Sequence, residues 1–136
     1  MDISQYEQFV SKQKVAYISS IDADGTPCTR AMLAPRYREG IKVFYFTTNT
    51  SSHKVIHYRH NALASLYFCD SKNYQGLMLK GKIEVLEDVE SKKMIWRFGD
   101  IIYYHKGVTD PDYCVLKFTA TSGEYYANIH VEQITL

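Results

Sequence analysis

The chain has 136 residues, of which 46% are hydrophobic and 23% charged, and its formal net charge at pH 7 is +1. This length and composition predict a single globular domain over residues 1–136 and argue against a disordered chain. The nearly balanced charge disfavours a protein built to coat nucleic acid, and no apolar run is long enough to span a membrane. Because no signal-peptide pattern opens the chain, we expect a cytoplasmic protein.

Apolar spacing, turn residues and capping residues divide the chain into short strands and three helices. Asp2 is the predicted N-cap of the first helix, Asp22–Gly25 predicts a tight turn, and Asn61 predicts a left-handed helix end. Gly81 predicts a bulge or a bend inside a long strand, and Ser122–Gly123 predicts the turn between the last two strands. In chain order the predicted elements are a helix over 2–14, strands over 15–21, 26–33 and 41–46, a helix over 51–60, strands over 62–69 and 74–86, a helix over 87–98, and strands over 113–119 and 124–131.

This order of elements favours a mainly β fold. Most strands follow one another as hairpins, and the strand–helix alternation typical of a doubly wound parallel sheet is absent. We therefore predict an antiparallel β-barrel, closed or nearly closed, with helices at its periphery.

The three cysteines, Cys28, Cys69 and Cys114, are widely separated and lie in strand-like surroundings. An odd number with this spacing predicts buried free thiols in a reducing compartment rather than a disulfide framework or a zinc site.

The stretch Phe44–Lys54 predicts a strand that ends in hydroxyl and amide side chains and then opens a helix. The first turn of a helix carries free backbone N–H groups and the positive end of the helix dipole, so a cation is unfavourable there. His53 and Lys54 nevertheless occupy that turn, and no acidic residue lies between Phe44 and Asp70. A bound anion such as a phosphate would resolve this conflict; an ordinary Ser/Thr cap with a solvated lysine is the alternative.

Arg30 lies midway along the strand over 26–33, on the same predicted face as Cys28 and Met32. A charged side chain on a half-buried face needs a partner, unless that face is open to solvent. The residues alone leave both interpretations open.

His53, His57 and His60 share a face of the predicted helix, and such a pair or trio can bind zinc. Lys54 and Arg59 would repel a cation, however, and no acid or cysteine stands nearby, so solvated or stacked histidines are expected and no metal. No nucleophile motif, carboxylate pair or glycine-rich phosphate loop identifies a catalytic residue, and demanding chemistry would therefore need a cofactor.

Several segments together resemble the pyridoxamine 5'-phosphate oxidase-like proteins, the FMN-binding split-barrel flavoproteins, and most closely the short bacterial branch that includes general-stress-type members. The resemblance covers nearly the whole chain and rests on the order and spacing of these segments more than on any one of them. The segments are Arg30–Met32, Phe46–Asn49, Ser51–Lys54, Asn61–Leu66, Gly81–Asp88, Trp96 and Asp110–Lys117.

This resemblance implies a cofactor site for FMN. The FMN phosphate would be held by Arg30, by Ser51 or Ser52, and by Lys54, and His53 stands where many relatives carry arginine. The resemblance also places four residues along the flavin, namely Thr47 and Thr48, and Ala31 and Met32.

The family builds its flavin sites between two subunits, so the resemblance implies a homodimer whose partner subunit contributes residues around Gln75 and Trp96. In the true oxidases a glutamine stands at the position of Gly76, so Gln75 lies one place off.

Two departures bear on the substrate. The lysine that the true oxidases use for the substrate phosphate matches Pro35, and their arginine-bearing C-terminal segment has no match in these residues. Pyridoxine-5'-phosphate oxidase activity is therefore not expected. The leading hypothesis is an FMN-dependent oxidoreductase acting on an unidentified small molecule. The alternatives are a non-catalytic flavin-binding carrier or sensor related to stress, and a relative that binds haem or the deazaflavin F420.

Overall fold

Eight strands and three helices make up the computed structural model, which describes residues 1–136. Two 3₁₀ turns, Phe98–Ile102 and Gly107–Thr109, lie in the less regular segment before the seventh strand. The elements are α1 Ile3–Ser11, β1 Val15–Ile21, β2 Pro27–Leu33, β3 Tyr37–Glu39, β4 Val43–Asn49, α2 His53–His60, β5 Leu63–Asp70, β6 Gln75–Leu86, α3 Val89–Ile95, β7 Tyr113–Ala127 and β8 His130–Thr135.

All eight strands form one antiparallel sheet in the order β2-β1-β5-β6-β7-β4-β3, with β8 paired to β7. The sheet curls but does not close, since β2 and β3 at its two ends are not hydrogen-bonded to each other. The prediction of a mainly β, antiparallel and nearly closed barrel is confirmed, and its open seam makes it a split barrel. None of the helices combines the length and the apolarity that a membrane span requires.

The barrel interior holds the larger of two hydrophobic clusters, with 21 buried residues. Helix α1 adds Tyr6, Phe9 and Val10 to this cluster, and α2 adds Val55 and Tyr58. Because Lys54 precedes these two inward-facing residues of α2, its side chain is drawn into the protein as well. A second cluster of five buried residues, with Trp96 against it, lies under α3 and the 3₁₀ turns.

Two details of the sequence prediction are confirmed. The Asp2 carboxylate accepts a hydrogen bond from Gln5 N, which forms the N-cap of α1, although the helix ends at Ser11 rather than residue 14. The pairing register of β6 and β7 shifts between Lys80 and Gly81, which is the predicted bulge. A side chain at Gly81 would run into the backbone carbonyl of Thr119, so glycine is required there.

The prediction of a turn at Ser122–Gly123 is wrong, because β7 runs unbroken from Tyr113 to Ala127. Gly123 is needed for close packing instead, since a Cβ there would press on Met78 O and the Leu79 side chain. The turn to β8 is made by Asn128 and Ile129, which adopt φ values of 52° and 66°. Two consecutive left-handed residues are typical of the hairpin turn whose twist matches the strands.

Two helix ends also differ from the prediction. Asn61 is extended, with φ −146° and ψ 110°, and its side-chain oxygen accepts a hydrogen bond from Leu63 N instead of supporting a left-handed cap. Helix α3 spans only Val89–Ile95, because Trp96 is extended and its ring packs on Tyr113 with centroids 5.2 Å apart. Tertiary packing therefore overrides the helical pattern of residues 87–98.

All three cysteines are free thiols. Cys114 is buried, and burial raises the pKa of its thiol, whereas Cys28 and Cys69 are only partly covered. The prediction of buried thiols thus holds for one of the three.

Candidate functional site

Two cations lie close together at the start of α2 without an acidic partner. Lys54 is only 9% exposed, and its ammonium donates one hydrogen bond, to Ser52 Oγ at 3.4 Å. Arg30 is half-buried on β2 and donates to Ser20 Oγ at 3.3 Å. None of the four ion pairs in the protein involves either residue. Burial lowers the pKa of Lys54, and the charge of Arg30 lowers it further, so this is a site of uncompensated positive charge.

The helix terminus adds to this positive character. Ser52 is the N-cap of α2, yet its side chain makes no capping hydrogen bond, and no acid stands in the first turn. The free N–H groups of that turn and the helix dipole therefore act in the same direction as Lys54. The bland alternative of a capped helix with a solvated lysine is wrong on both counts.

A carboxylate does reach the strand–helix joint, from a part of the chain far away in sequence. Asp112 Oδ1 accepts from Ser51 N and Asp112 Oδ2 from Asn49 Nδ2, each at 2.9 Å. These hydrogen bonds lower the pKa of Asp112. The carboxylate satisfies the joint before the helix but forms no ion pair with Lys54, so the charge of the lysine remains uncompensated.

The hydroxyl of Thr50, between Asn49 and Ser51, is buried without an oxygen or nitrogen partner, but it interacts with the buried Cys114 thiol and opposes the larger effect of burial, which raises the pKa of that thiol. Thr50 therefore does not indicate a ligand by itself; the indication comes from the two uncompensated cations and from the free N–H groups in the first turn of α2. The chemistry of this region therefore fits an anionic group with oxygen acceptors.

A cleft of about 200 Å³ opens next to this region, at the seam of the barrel. Its walls come from β2 and β4, the strands that also carry Arg30 and lead into α2. The wall residues include four of the predicted flavin neighbours: Ala31, Met32, Thr47 and Thr48.

The far wall of the cleft is fixed by a buried ion pair. Arg36 lines the cleft and donates two hydrogen bonds to the Asp100 carboxylate, both at 2.8 Å, and a third to Ile95 O at 3.1 Å. The guanidinium of Arg36 lowers the pKa of Asp100, and Asp100 raises the pKa of Arg36. Because Arg36 is fully engaged, it offers no free charge to a molecule in the cleft.

The remaining predicted site residues do not line this cleft. Ser51 and His53 are exposed at the joint and the first helical turn. Gln75 lines a different groove, against α1, with Gln5 and Gln13. Trp96 lies behind the cleft wall, with its ring centroid 6.3 Å from that of Tyr104. Within one chain the fold brings together Arg30, Ser52 and Lys54 and the four cleft residues, but not Gln75 or Trp96.

Gly76, which stands where the true oxidases carry glutamine, is covered by Tyr67. A Cβ at Gly76 would collide with the phenol group of Tyr67, so a longer side chain could enter only if that ring moved.

Sequence reasoning did not identify Ser20 or Asp112 as part of this region. Ser20 carried a readable signal, because it continues the inward-facing alternation of Ala16 and Ile18 along β1 as a hydroxyl. The contact of Asp112 with Ser51 spans 61 residues and depends on the pairing of β4 with β7, which no local pattern contains.

Comparison with known proteins gives the family. The profile of the pyridoxamine 5'-phosphate oxidase family matches residues 3–127. A protein from Clostridium acetobutylicum, described as related to general stress protein 26 of B. subtilis, is 35% identical and superposes with a TM-score of 0.90. That alignment covers 100% of this chain and 97% of the other. Among proteins with curated functional descriptions, none matches this chain in sequence.

More distant structures share the fold. General stress protein 26 from Bacillus anthracis superposes with a TM-score of 0.77 at 17% identity, covering 97% of this chain and 98% of that one. A heme-binding protein from Mycobacterium smegmatis also reaches 0.77 at 12% identity, covering 99% of this chain and 58% of that one. With the profile match over residues 3–127 and 35% identity across a full-length relative, the chain belongs to the pyridoxamine 5'-phosphate oxidase family.

Proposed function

We propose that the protein is an FMN-binding flavoprotein that acts as an oxidoreductase on a small molecule. The observation that carries this proposal is the pair of uncompensated cations, Arg30 and Lys54, at the end of a cleft in the barrel seam. Arg30, Ser52 and Lys54 would hold the phosphate of FMN, whose charge complements theirs and the helix terminus. When bound, FMN supplies hydride or single-electron transfer, which no side chain of the site can supply.

The chain itself would bind and orient the cofactor. The walls of the cleft offer apolar contact from Ala31 and Met32 on one side and hydroxyl groups from Thr47 and Thr48 on the other. Such a pairing suits a flat ring system that has an apolar face and a polar edge. His53 is exposed in the same first turn, beside Ser52, and would add a fourth donor to the phosphate when its ring is oriented inward.

The direct test is the visible spectrum of the purified protein, followed by titration of the cofactor-free form with FMN and with riboflavin. Riboflavin lacks the phosphate, so the ratio of the two affinities reports on the phosphate contacts alone. We expect the wild type to prefer FMN strongly, and Arg30→Ala and Lys54→Ala each to lose most of that preference. A protein that stays colourless with FMN would overturn the proposal, and an unchanged ratio in both variants would overturn the residue assignment.

Turnover separates an oxidoreductase from the alternative, a flavin-binding carrier or sensor related to stress. An enzyme should reduce its bound flavin with a nicotinamide or another donor and reoxidise it on adding an acceptor such as a nitro compound. Stopped-flow absorbance with a panel of donors measures both half-reactions. Tight FMN binding without either half-reaction across the panel would favour the carrier or sensor.

Haem is an alternative on the same barrel, since a structural neighbour is described as a heme-binding protein. The deazaflavin F420 is the other alternative and rests on the family resemblance alone. The cleft favours flavin over haem, because no histidine lines it and His57 is engaged with Ser20 at 2.7 Å. The spectrum of the purified protein distinguishes the three chromophores at once.

Pyridoxine-5'-phosphate oxidase activity does not follow from membership of the family. Pro35 supplies no charge for a substrate phosphate, and the neighbouring Arg36 is tied to Asp100. Apart from Arg30 and Lys54, which are assigned to the cofactor, the cleft therefore offers no free cation for a substrate phosphate.

The three free thiols fit the reducing cytoplasm, which we propose as the location.

We also propose that the protein is a homodimer with its flavin sites at the interface. The outer face of β1 and β2 exposes Val15, Tyr17 and Leu33, and Leu33, 80% exposed, borders the cleft. A second copy on this face would bury the apolar patch and bring Gln75 or Trp96 of one chain near the cleft of the other. Sedimentation should show a dimer, and Leu33→Glu should weaken it. The control variant Ile129→Glu should leave the dimer unchanged, because Ile129 lies on the β7–β8 turn, where it is 88% exposed. A wild-type monomer would refute this.

A further inference from the structure

His57, which the family resemblance did not involve, is tied to Arg30 through one buried hydroxyl. The Nδ1 atom of His57 lies 2.7 Å from Ser20 Oγ, and the same oxygen accepts a hydrogen bond from the Arg30 guanidinium at 3.3 Å. Ser20 is fully buried on β1, whereas His57 is half-buried one turn after Lys54 on α2. The three side chains thus connect the helix that carries Lys54 to the strand that carries Arg30.

The directions of these hydrogen bonds follow from what each group can donate. A guanidinium has no acceptor, so Ser20 Oγ must accept from Arg30. The single hydroxyl proton of Ser20 then needs an acceptor of its own, and His57 Nδ1 is the one that the structure provides. His57 therefore accepts at Nδ1 and carries its proton at Nε2.

We infer that Ser20 and His57 are positioning residues that hold the Arg30 guanidinium toward the anion site. This inference rests on the proposed phosphate role of Arg30. A long arginine side chain loses several rotamers when it is fixed, and it would otherwise turn away from the like charge of Lys54. The hydroxyl of Ser20, polarised by its bond to His57, gives the guanidinium a fixed acceptor and keeps it beside Lys54 in the absence of a ligand.

The surroundings of His57 leave this role available. The carboxylate of Asp22 lies within electrostatic range of His57, but it accepts hydrogen bonds from Thr26 N and Asp24 N, and these lower the pKa of Asp22. It forms no ion pair with His57, so the ring remains free to serve Ser20.

The test compares variants that remove or keep an acceptor at the position of Nδ1. His57→Leu and Ser20→Ala should weaken FMN binding about tenfold, while His57→Asn, whose amide oxygen can replace Nδ1, should stay within about threefold of the wild type. Riboflavin affinity should change little in any of them, because the effect passes through the phosphate.

A double-mutant cycle separates positioning from a general structural role. If His57 acts through Arg30, then Arg30→Ala/His57→Leu should bind FMN no more weakly than Arg30→Ala. An equal effect of His57→Leu in both backgrounds would overturn the inference, as would failure of His57→Asn to restore affinity while the protein remains folded by circular dichroism.

A second readout does not depend on the cofactor. Nitrogen-15 NMR of the ligand-free protein should show His57 Nδ1 unprotonated and Nε2 protonated, and a proton on Nδ1 would overturn the inference. If the wild type fails to bind FMN, the proposed function fails, and inorganic phosphate then serves as the probe of Arg30. Ser20→Ala should weaken phosphate binding in that case, and an unchanged phosphate affinity would count against the positioning role.

Discussion

Replacing Lys54 by methionine should stabilise the cofactor-free protein and weaken its binding of FMN. The residue is 9% exposed, and its ammonium makes a single hydrogen bond of 3.4 Å and lies near the charge of Arg30. A buried polar group with unmet hydrogen bonds costs about 1–3 kcal/mol. Methionine keeps most of the apolar stem without the charge, so we expect a gain of about 1–2 kcal/mol in the free energy of unfolding, or about 4 °C in Tm per kcal/mol.

The same change should remove a charge-assisted hydrogen bond to phosphate. Such bonds contribute about 1.5–3 kcal/mol, so the Kd for FMN should rise about 10- to 150-fold. Urea denaturation without cofactor and fluorescence titration with FMN measure the two effects. A matched control is Lys92→Met, because Lys92 is equally buried at 6% exposed but has partners, Asp110 O at 3.4 Å and the Tyr113 ring at 5.7 Å. The control should lose stability and keep its FMN affinity.

The pH dependence gives an independent check with a defined sign. The pKa of Lys54 in the folded state is lower than its ordinary value of 10.5. Between the folded-state pKa and 10.5, the unfolded chain therefore binds more protons than the folded protein. The destabilisation is fully present below the folded-state pKa and is relieved as pH rises toward 10.5. The difference in unfolding free energy between Lys54→Met and wild type should therefore shrink as pH rises through this window. A less stable Lys54→Met, or one with unchanged FMN affinity, would refute the reasoning.

Two further substitutions test the frame of the site. Asp100→Asn should cost about 3–5 kcal/mol in urea denaturation, because it leaves Arg36 buried without its counter-ion. Because the pKa of Asp100 is lowered in the folded state, ionised Asp100 stabilises the fold above its ordinary pKa of 3.8. This stabilisation is lost as pH falls through the folded-state pKa, so Asp100→Asn should be less acid-sensitive than wild type. Gly81→Ala should lower the free energy of unfolding by about 3 kcal/mol or more, because the added Cβ meets the rigid Thr119 carbonyl. Gly76→Ala should lower it by about 1 kcal/mol or less, because the exposed Tyr67 ring can move aside. Equal losses of stability in the two variants would contradict this contrast.

Local patterns predicted the parts of the fold that local chemistry decides. The capping residue Asp2, the bulge at Gly81 and the cationic start of α2 are all properties of a few neighbouring residues, and each is found where it was expected. The turn at Asn128–Ile129 was missed because a β-branched residue at φ 66° runs against every local preference. The turn joins two strands that pair from Ser122↔Thr135 to Ala127↔His130.

The candidate site shows the same division. The sequence indicates that Arg30 and Lys54 need partners, but it does not show that they approach each other. Their proximity follows from the pairing of β1 with β2 and from the packing of α2 against β1 and β6. The roles of Ser20 and Asp112 depend on contacts across 37 and 61 residues. Such contacts depend on the pairing register of the whole sheet, which cannot be predicted from any single segment of the sequence.

The remaining question is whether the uncompensated charge merely reflects a shortage of acids. The chain has 16 lysines and arginines and 15 aspartates and glutamates, so the supply is nearly equal. The other covered cations all have acidic, carbonyl or aromatic partners, namely Arg36 with Asp100, Arg38 with Glu7, Lys92 with Asp110 O and the Tyr113 ring, and Lys117 with the Tyr45 ring. Even the joint before α2 receives the carboxylate of Asp112, which stops short of Lys54. Among the covered cations, only Arg30 and Lys54 lack such a partner, and they lie next to each other beside a cleft. Their uncompensated charge therefore destabilises the cofactor-free protein at this site. Binding of an anion from outside the chain would remove this destabilisation. We therefore expect cofactor binding to raise the free energy of unfolding of the wild type more than that of Lys54→Met.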